Sequence, residues 1–172
     1  MSPKTIILLV GPKGSGKTYL ASRMEAELGI GFVRVEPIWL SLSAEISPGT
    51  AQFDEEGQSR VISAAHEALE HHSTIVLEST GTAPWFPRQK SDLDAIGSLI
   101  FVKVDAPLSL CLERIQHRDA SNHIPVSDDR VNEINAIASR VVLPWTIIVP
   151  NTNSDHADEF IEMMRELFGG RI

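Results

Sequence analysis

Short apolar runs along this chain alternate with longer amphipathic stretches. Such alternation is typical of βαβ units, in which buried parallel strands are joined by helices that cover the sheet. Strands buried on both faces are continuous apolar runs, so each run predicts one strand of a parallel sheet. The five predicted strands lie at residues 5–10, 32–36, 74–78, 99–105 and 146–149.

Four stretches outside the strands carry apolar residues at helical spacing. Their apolar faces are formed by Val61, Ile62, Ala65, Ala68 and Leu69; by Leu108, Cys111, Leu112 and Ile115; by Val131, Ile134, Ala138 and Val141; and by Ala157, Phe160, Ile161, Met164 and Leu167. Gly169 and Gly170 are expected to end the last helix. Segments 37–57 and 119–129 break this rhythm and predict functional loops or a lid, and segment 79–90 is also predicted to be irregular.

The composition indicates one globular domain spanning residues 1–172, with 42% apolar and 22% charged residues. The net charge of −8 is spread without clusters of Lys or Arg, which disfavours nucleic acid and anionic membranes as partners. The single cysteine, Cys111, lies among apolar residues and predicts a buried, inert thiol. We recognise neither a cleavable leader nor a membrane-spanning run, which predicts a cytoplasmic protein.

The most specific motif is a glycine-rich turn at residues 11–18, directly after the first strand and before a helix-forming stretch. Strand, turn and helix in this order form a phosphate-binding loop, whose N–H groups and helix N-terminus attract one anion. Lys17 would reach the β- and γ-phosphates, and the Thr18 hydroxyl would ligate Mg²⁺. The motif predicts binding of a nucleoside triphosphate by Gly11, Lys13, Gly14, Ser15, Gly16, Lys17 and Thr18.

Two carboxylates follow predicted strands at the edge of the sheet where this loop lies. The carboxyl ends of parallel strands meet at one edge, and ligands bind there. Glu78 closes the third strand and would support Mg²⁺ directly or through water. Glu36 closes the second strand and would hold or deprotonate an acceptor hydroxyl. Alternatively, both are solvated residues at strand ends, and Glu36 is the entry to a turn before Pro37.

Arg114 and Arg118 share one face of a predicted helix that leads into segment 119–129. A guanidinium contacts two oxygens at once, so the pair would stabilise a migrating phosphoryl group while the segment excludes water. Solvated surface charge is the alternative. Arg88 would reach an acceptor anion or, equally, carry surface charge, and His123 lacks the partners needed for a metal cage.

These residues together resemble the small P-loop kinases of the nucleoside, nucleotide and shikimate kinase group, above all adenylate-kinase-like and polynucleotide-kinase-like proteins. The resemblance covers nearly the whole chain in element order. It implies a three-layer α/β/α P-loop NTPase fold, a five-stranded parallel sheet of order 2-3-1-4-5, and a short helical lid at about residues 114–130. It also implies that Asn151 and Thr152 contact the adenine, and that Glu36 replaces an acceptor-binding Asp.

The chain departs from the pattern of this group on the acceptor side. Glu36 is one methylene longer than the usual Asp, and residues 85–88 only loosely match the acceptor-binding arginine segment of nucleoside monophosphate kinases. The Gly-Gly pair that follows strand three in shikimate kinases is missing. The Asn-Lys-x-Asp segment that recognises guanine in GTPases is missing as well. These departures concern the acceptor rather than the use of ATP.

The site residues and the resemblance predict a Mg²⁺- and ATP-dependent phosphotransferase. Its acceptor would be a small hydroxyl- or phosphate-bearing molecule such as a nucleoside, a nucleotide or a sugar-like metabolite. Lys17, Arg114, Arg118 and Glu36 would act by positioning and electrostatics. One alternative is a regulatory or assembly ATPase that uses segment 37–57 as a partner surface. The other is a polynucleotide 5′-kinase, which the acidic charge balance disfavours.

Overall fold

The computed structural model describes residues 3–118, 121 and 123–169. The strands are β1 (Thr5–Val10), β2 (Gly31–Phe32), β3 (Thr74–Ser79), β4 (Ser98–Asp105) and β5 (Ile147–Pro150). They form one sheet of order β2-β3-β1-β4-β5 in which every pairing is parallel. This order confirms the predicted P-loop NTPase fold.

Strand β1 lies at the centre of the sheet, and all six of its residues are buried. Its last residue, Val10, is in register with Ser79 of β3 and with Lys103 of β4. A central strand covered on both faces is apolar at every position, which explains the continuous apolar run in this part of the sequence. The carboxyl ends of β1, β3 and β4 therefore lie side by side, where the glycine-rich loop begins.

Helices cover both faces of the sheet. In the described part of the chain they are α1 (Lys17–Leu28), α2 (Val35–Ser43), α3 (Ala51–His71), α4 (Phe86–Asp94), α5 (Leu108–His117), α6 (Asp128–Ala138) and α7 (Ser154–Phe168). Met24 of α1 and Phe160 of α7 are buried on one face, and Val61 of α3 and Leu93 of α4 on the other. None of the described helices is long and apolar enough to cross a bilayer.

The second predicted strand, at residues 32–36, is wrong beyond its first residue. Strand β2 ends at Phe32, and helix α2 already begins at Val35. Trp39 and Leu42 follow Val35 at helical spacing, so this segment covers its neighbours as a helix rather than as a strand. Pro37 is compatible with α2 because it stands in the first turn, where a backbone N–H has no partner within the helix.

Segment 37–57 is a helical hairpin rather than the irregular loop that we predicted. It comprises most of α2, a short connection and the beginning of α3, and the two helices pack together. Thr50 begins α3 as its N-cap, because its Oγ1 accepts a hydrogen bond of 3.2 Å from the backbone N–H of Phe53. The hairpin places side chains from both helices beside the carboxyl ends of the strands.

Two further helix boundaries differ from the prediction. Helix α4 begins within segment 79–90, which we predicted to be irregular, and Pro87 stands in its first turn. Helix α6 ends at Ala138, so Val141 lies beyond it. Val141 packs instead against the core that α3 and α4 cover.

The predicted lid, at about residues 114–130, comprises the end of α5, a connection and the start of α6. Positions 119, 120 and 122 of this lid lie outside the described residues. Gly169 ends α7, as predicted, whereas Gly170 lies outside the described part of the chain.

Candidate active site

The glycine-rich loop connects β1 to α1 and presses closely on neighbouring elements. Gly16, the residue before α1, has φ 93°, a left-handed conformation that glycine adopts without steric cost. A Cβ at this position would lie 2.2 Å from Nδ2 of Asn151. The Cys111 thiol is buried beside the same loop, and burial raises its pKa, which agrees with the predicted inert thiol.

Two buried asparagines fix the backbone of this loop. Asn135 of α6 is 1% exposed; its Oδ1 accepts from the Lys13 N–H at 2.8 Å, and its Nδ2 donates to the Lys13 carbonyl at 3.0 Å. Asn151, which follows β5 and is 4% exposed, donates from Nδ2 to the Ser15 carbonyl at 2.8 Å. The loop is therefore held from both sides in one conformation, with its amides already oriented.

Sequence reasoning missed Asn135 and assigned Asn151 a different contact. Asn135 stands four residues after Val131, on the buried face of α6, and a polar side chain on such a face was the available signal. Asn151 was expected at the adenine, but its side chain is engaged with Ser15. Thr152 is exposed, and its Oγ1 lies 3.1 Å from Nδ1 of His156, so its contact with adenine stays a prediction.

The two arginines predicted to contact phosphate both line the cavity at the loop. Arg114 donates from Nη2 to the Asn151 carbonyl at 2.9 Å, and its Nη1 lies 3.4 Å from the carbonyls of Gly14 and Ser15. Arg118 follows α5 and is half-buried. Burial of Lys13 is the main cause of its lowered pKa, and the positive charge of Arg118 adds to this shift. Arg114 is therefore held by backbone carbonyls, whereas the contact of either arginine with phosphate stays a prediction.

Lys17 is 9% exposed and lies at the centre of the loop. Its Nζ donates to the carbonyls of Gly11 at 2.8 Å and Pro12 at 2.7 Å. Burial lowers its pKa to about 8, although the Glu78 carboxylate opposes this shift. The ammonium group is thus charged at neutral pH and poorly compensated, which favours binding of an anion.

Thr18 and Glu78 meet at the edge of the sheet, as the ends of parallel strands require. The Thr18 hydroxyl lies 2.8 Å from Oε2 and 3.0 Å from Oε1 of Glu78. Burial raises the pKa of Glu78, and the charge of Lys17 opposes that shift. The described residues contain no group of three or more His, Cys, Asp or Glu side chains placed to hold a metal ion.

This donor set fits Mg²⁺. The ion takes oxygen ligands and commonly keeps several waters, binding through one or two protein groups together with substrate phosphates. A hydroxyl and a carboxylate beside a phosphate loop supply that kind of partial coordination. A complete cage of protein ligands is therefore not needed here.

Glu36 lies in the first turn of α2 and not at the end of a strand, which corrects our prediction of its position. Its Oε2 lies 2.7 Å from Nδ1 of His123, in the connection between α5 and α6. We predicted no partner for His123. The two residues are 87 positions apart, and nothing in the local pattern of either one signals the contact.

One cavity of about 750 Å³ is lined by the phosphate loop, by Arg114 and Arg118, and by Glu36. On the side away from the loop, its wall contains three aromatic side chains. Trp39 stacks on Trp85 with ring centroids 5.3 Å apart, and it lies 5.2 Å from the Phe53 ring at 45°. Trp39 also lies against the backbone of Gly57, where a Cβ would come within 1.9 Å of its Cζ3.

Arg88 lies outside the wall of this cavity. It is on α4, its side chain is 69% exposed, and its Nε lies 3.7 Å from Oδ2 of Asp92. The turn of the helix directs the next residue, Gln89, to the cavity instead. The position of Arg88 therefore corresponds to the surface-charge alternative rather than to an acceptor contact.

Comparison with known proteins places this geometry in a family. The model of the AAA domain family matches residues 7–135, more than half of the chain. The chain belongs to the AAA domain family. A similar protein, the shikimate kinase of Xanthomonas axonopodis pv. citri (strain 306), is 25% identical over 160 residues, which cover 91% of this chain and 86% of that protein.

Solved structures of kinases share the fold of this AAA domain protein. A sugar kinase from Janibacter has a TM-score of 0.68 at 14% identity, over 97% of this chain and 95% of the other. A shikimate kinase from Bacteroides thetaiotaomicron has a TM-score of 0.66 at 18% identity, over 96% and 98%. These matches confirm the resemblance to small P-loop kinases and support an ATP-dependent kinase.

Proposed function

We propose that this chain is a Mg²⁺- and ATP-dependent phosphotransferase whose acceptor is a hydroxyl group of a small molecule. One observation carries the proposal: a single cavity is lined by Lys17 and Thr18 of the phosphate loop and also by the carboxylate of Glu36. An ATPase that only switches conformation requires the loop, but it does not require a second carboxylate beside an aromatic wall.

On the donor side, the loop amides and Lys17 would bind the β- and γ-phosphates of ATP. Lys17 would exchange its two short carbonyl contacts for phosphate oxygens, which offer full negative charge. Thr18 and Glu78 would hold Mg²⁺, which when bound offsets the charge of the β- and γ-phosphates. Thr152 and the backbone of Asn151 follow β5 beside the loop, where the adenine would lie.

On the acceptor side, Glu36 would orient the hydroxyl group and take its proton. The acceptor oxygen forms a bond to the γ-phosphorus while the bond from that phosphorus to the β–γ bridging oxygen breaks. The electron pair of the broken bond leaves on ADP, and the hydroxyl proton passes to the Glu36 carboxylate. His123 would orient this carboxylate through their 2.7 Å contact.

Arg114 and Arg118 would stabilise the charge on the phosphoryl group in transit. Arg114 is already fixed to the loop through the Asn151 carbonyl, so little entropy is lost when it engages a phosphate. Arg118 directly follows α5, and His123 lies within the connection between α5 and α6. Closure of the lid would therefore place the positive charge of Arg118 beside the phosphates and exclude water at the same time. Exclusion of water suppresses hydrolysis of ATP.

The test is a screen for acceptor-dependent ADP formation with Mg²⁺ and ATP, over nucleosides, nucleotides, sugars, sugar acids and aminoglycosides. We expect at least one acceptor class to raise ADP formation well above the rate without acceptor. Slow ATP turnover that no acceptor accelerates, but that a protein partner does, would favour the regulatory ATPase instead. Affinity for oligonucleotides that falls steeply with salt would favour the polynucleotide kinase.

A further inference from the structure

We infer that the acceptor is an alcohol that carries a planar ring and no negative charge. This inference rests on the proposed phosphotransferase activity and specifies the chemical class of its second substrate. It follows from three features of the cavity: where its cations lie, what forms its far wall, and which buried polar group there has hydrogen-bonding capacity left.

The cations that line the cavity all lie at its phosphate end. Among the described lining residues, the Lys and Arg side chains come from the loop (Lys13, Lys17) and from α5 and the residue after it (Arg114, Arg118). The triphosphate and the migrating phosphoryl group would occupy all of them. An acceptor with its own anion would thus find no cation of its own among these residues.

Of the remaining titratable side chains that the structure describes near the acceptor end, two are carboxylates, and the third, His123, is already paired with Glu36 at 2.7 Å. Glu36 lines the cavity from α2, and Asp54 lines it from the first turn of α3. A carboxylate or phosphate on the acceptor would lie close to these half-buried side chains and be repelled by them. An uncharged or cationic molecule meets no such penalty.

The far wall of the cavity is shaped for a ring. Trp39 and Trp85 are stacked at an interplanar angle of 20°, and Phe53 closes the edge of the pair. Gly57 stands within helix α3, where alanine would favour the helix, and the Trp39 ring occupies the space that a Cβ would need. A helix-interior glycine therefore fixes the indole in place, and a fixed aromatic wall binds planar rings well.

Gln89 supplies a polar contact at the same end. It lines the cavity, is 4% exposed, and its Oε1 has no hydrogen-bond partner among the described residues. Buried polar groups are normally paired, because an unpaired one loses its hydrogen bonds to water without replacement. Rotation of this amide into the cavity would let it accept a hydrogen bond from the acceptor molecule, which would add a directional contact to the aromatic wall.

This chemistry excludes shikimate as a good acceptor, although similar proteins are shikimate kinases. Shikimate is a carboxylate without an aromatic ring. Its anion would require a cation at the acceptor end, and Arg88, the nearest candidate from the sequence, lies outside the cavity wall. A nucleoside or an aryl alcohol matches the wall and carries no anion.

Two matched pairs of probes distinguish the effect of a negative charge on binding from the effect of a ring. Thymidine and thymidine 5′-monophosphate differ in charge, as do 3-phenyl-1,2-propanediol and 3-phenyllactate, while glycerol lacks the ring. Binding of each to the full chain is measured by calorimetry with Mg²⁺ and a non-hydrolysable ATP analogue. We expect the uncharged member of each pair to bind at least about tenfold more tightly than its anionic partner, and glycerol more weakly than both uncharged probes.

Variants of the wall locate this binding. Trp39→Ala should weaken the ring-bearing probes about tenfold and leave the affinity for the ATP analogue unchanged, whereas Trp39→Phe should retain most of the affinity. Arg88→Ala is the control outside the cavity. Equal binding within both pairs, tighter binding of the anions, or no binding of any ring-bearing probe overturns the inference. ADP formation with shikimate as the best acceptor would overturn it as well, while leaving the phosphotransferase proposal intact.

Discussion

The two halves of the cavity are built in different ways. The donor half is a backbone loop whose position is fixed by buried hydrogen bonds from Asn135 and Asn151. The acceptor half is an array of side chains from α2, α3 and the start of α4, of which Trp39 is the centre. Backbone amides serve any triphosphate, whereas side chains can change without disturbing the sheet. In the proposed phosphotransferase, a general function and a specific one would thus lie on separate parts of the structure.

The largest expected effect comes from removing the charge of the donor half. Lys17→Met keeps a chain of similar length in a buried position but removes the ammonium group. We expect transfer to fall by at least about 10³-fold, because the lost contact is electrostatic and lies at the phosphates. Acceptor binding should not change, since the aromatic wall is separate. The measurement is the rate of ADP formation, together with calorimetry of the best acceptor probe.

Lys90→Met, on α4 and outside the cavity wall, is the matched control and should remain active. If Lys17→Met retained full activity, the donor half would be wrongly assigned.

The asparagines test whether the loop is held in position from outside. Asn135→Ala leaves the N–H and the carbonyl of Lys13 without their partner, which costs about 1–3 kcal/mol for each unpaired group. Asn151→Ala leaves the Ser15 carbonyl with only its 3.4 Å contact to Arg114. We expect lower stability and an ATP dissociation constant raised about tenfold or more. Asn153→Ala is the control: it removes the N-cap of α7, which costs about 1 kcal/mol without affecting the loop.

Thermal unfolding and ATP titration of the three variants distinguish the roles. Should Asn135→Ala and Asn151→Ala behave like Asn153→Ala, losing stability but no ATP affinity, the loop would hold its shape by itself.

The lowered pKa of Lys17 predicts a pH dependence confined to the donor half. Burial places this pKa at about 8, so the lysine is charged below that pH and loses its proton above it in the free protein. ATP favours the charged form, and binding above pH 8 must include uptake of a proton. The affinity for ATP should therefore fall by up to about tenfold per pH unit above pH 8.

Calorimetry from pH 7 to 10 measures this dependence, and ATP itself is already fully ionised above pH 8. Lys17→Met should bind weakly at every pH, with no step. A step of equal size in that variant would assign the titration to another group.

The smallest expected effect concerns how the acceptor half is fixed. Gly57→Ala would ordinarily stabilise a helix by about 0.5–1 kcal/mol. Here the added Cβ meets Trp39, so we expect a lower unfolding temperature and a weaker near-ultraviolet circular dichroism signal from the Trp39–Trp85 pair. ATP affinity should be unchanged. Ser59→Ala, at an exposed position of the same helix, should show none of these losses, and stabilisation by Gly57→Ala would contradict the account.

The loop of the donor half could be predicted because its causes are local or follow from sheet geometry, whereas the hydrogen bonds that Asn135 and Asn151 make to it could not. The apolar run and the glycine-rich turn specify β1, the loop and the start of α1 within a few residues of one another. Thr18 and Glu78 are 60 positions apart, yet both follow or end parallel strands, so their meeting at one edge was predictable. The place of Lys17 follows from the same glycine-rich motif and was likewise predictable from the local sequence.

The acceptor half could not be predicted, because it depends on tertiary packing. Residues 33–36 alternate apolar and polar side chains and precede Pro37, a pattern that favours a strand and a turn. Burial of one face instead makes Val35 the start of a helix. The contact of Glu36 with His123 joins two segments whose approach depends on the helices between them. Propensity and periodicity contain no information on such contacts.

The most direct test of the central claim is to follow the phosphoryl group itself. A reaction of the chain with Mg²⁺, ATP and its best acceptor is monitored by ³¹P nuclear magnetic resonance. We predict that a phosphate monoester signal grows in step with ADP, that inorganic phosphate stays at the level of the sample without acceptor, and that Lys17→Met shows neither change. ADP accompanied only by inorganic phosphate, at the same rate with and without acceptor, would contradict the account.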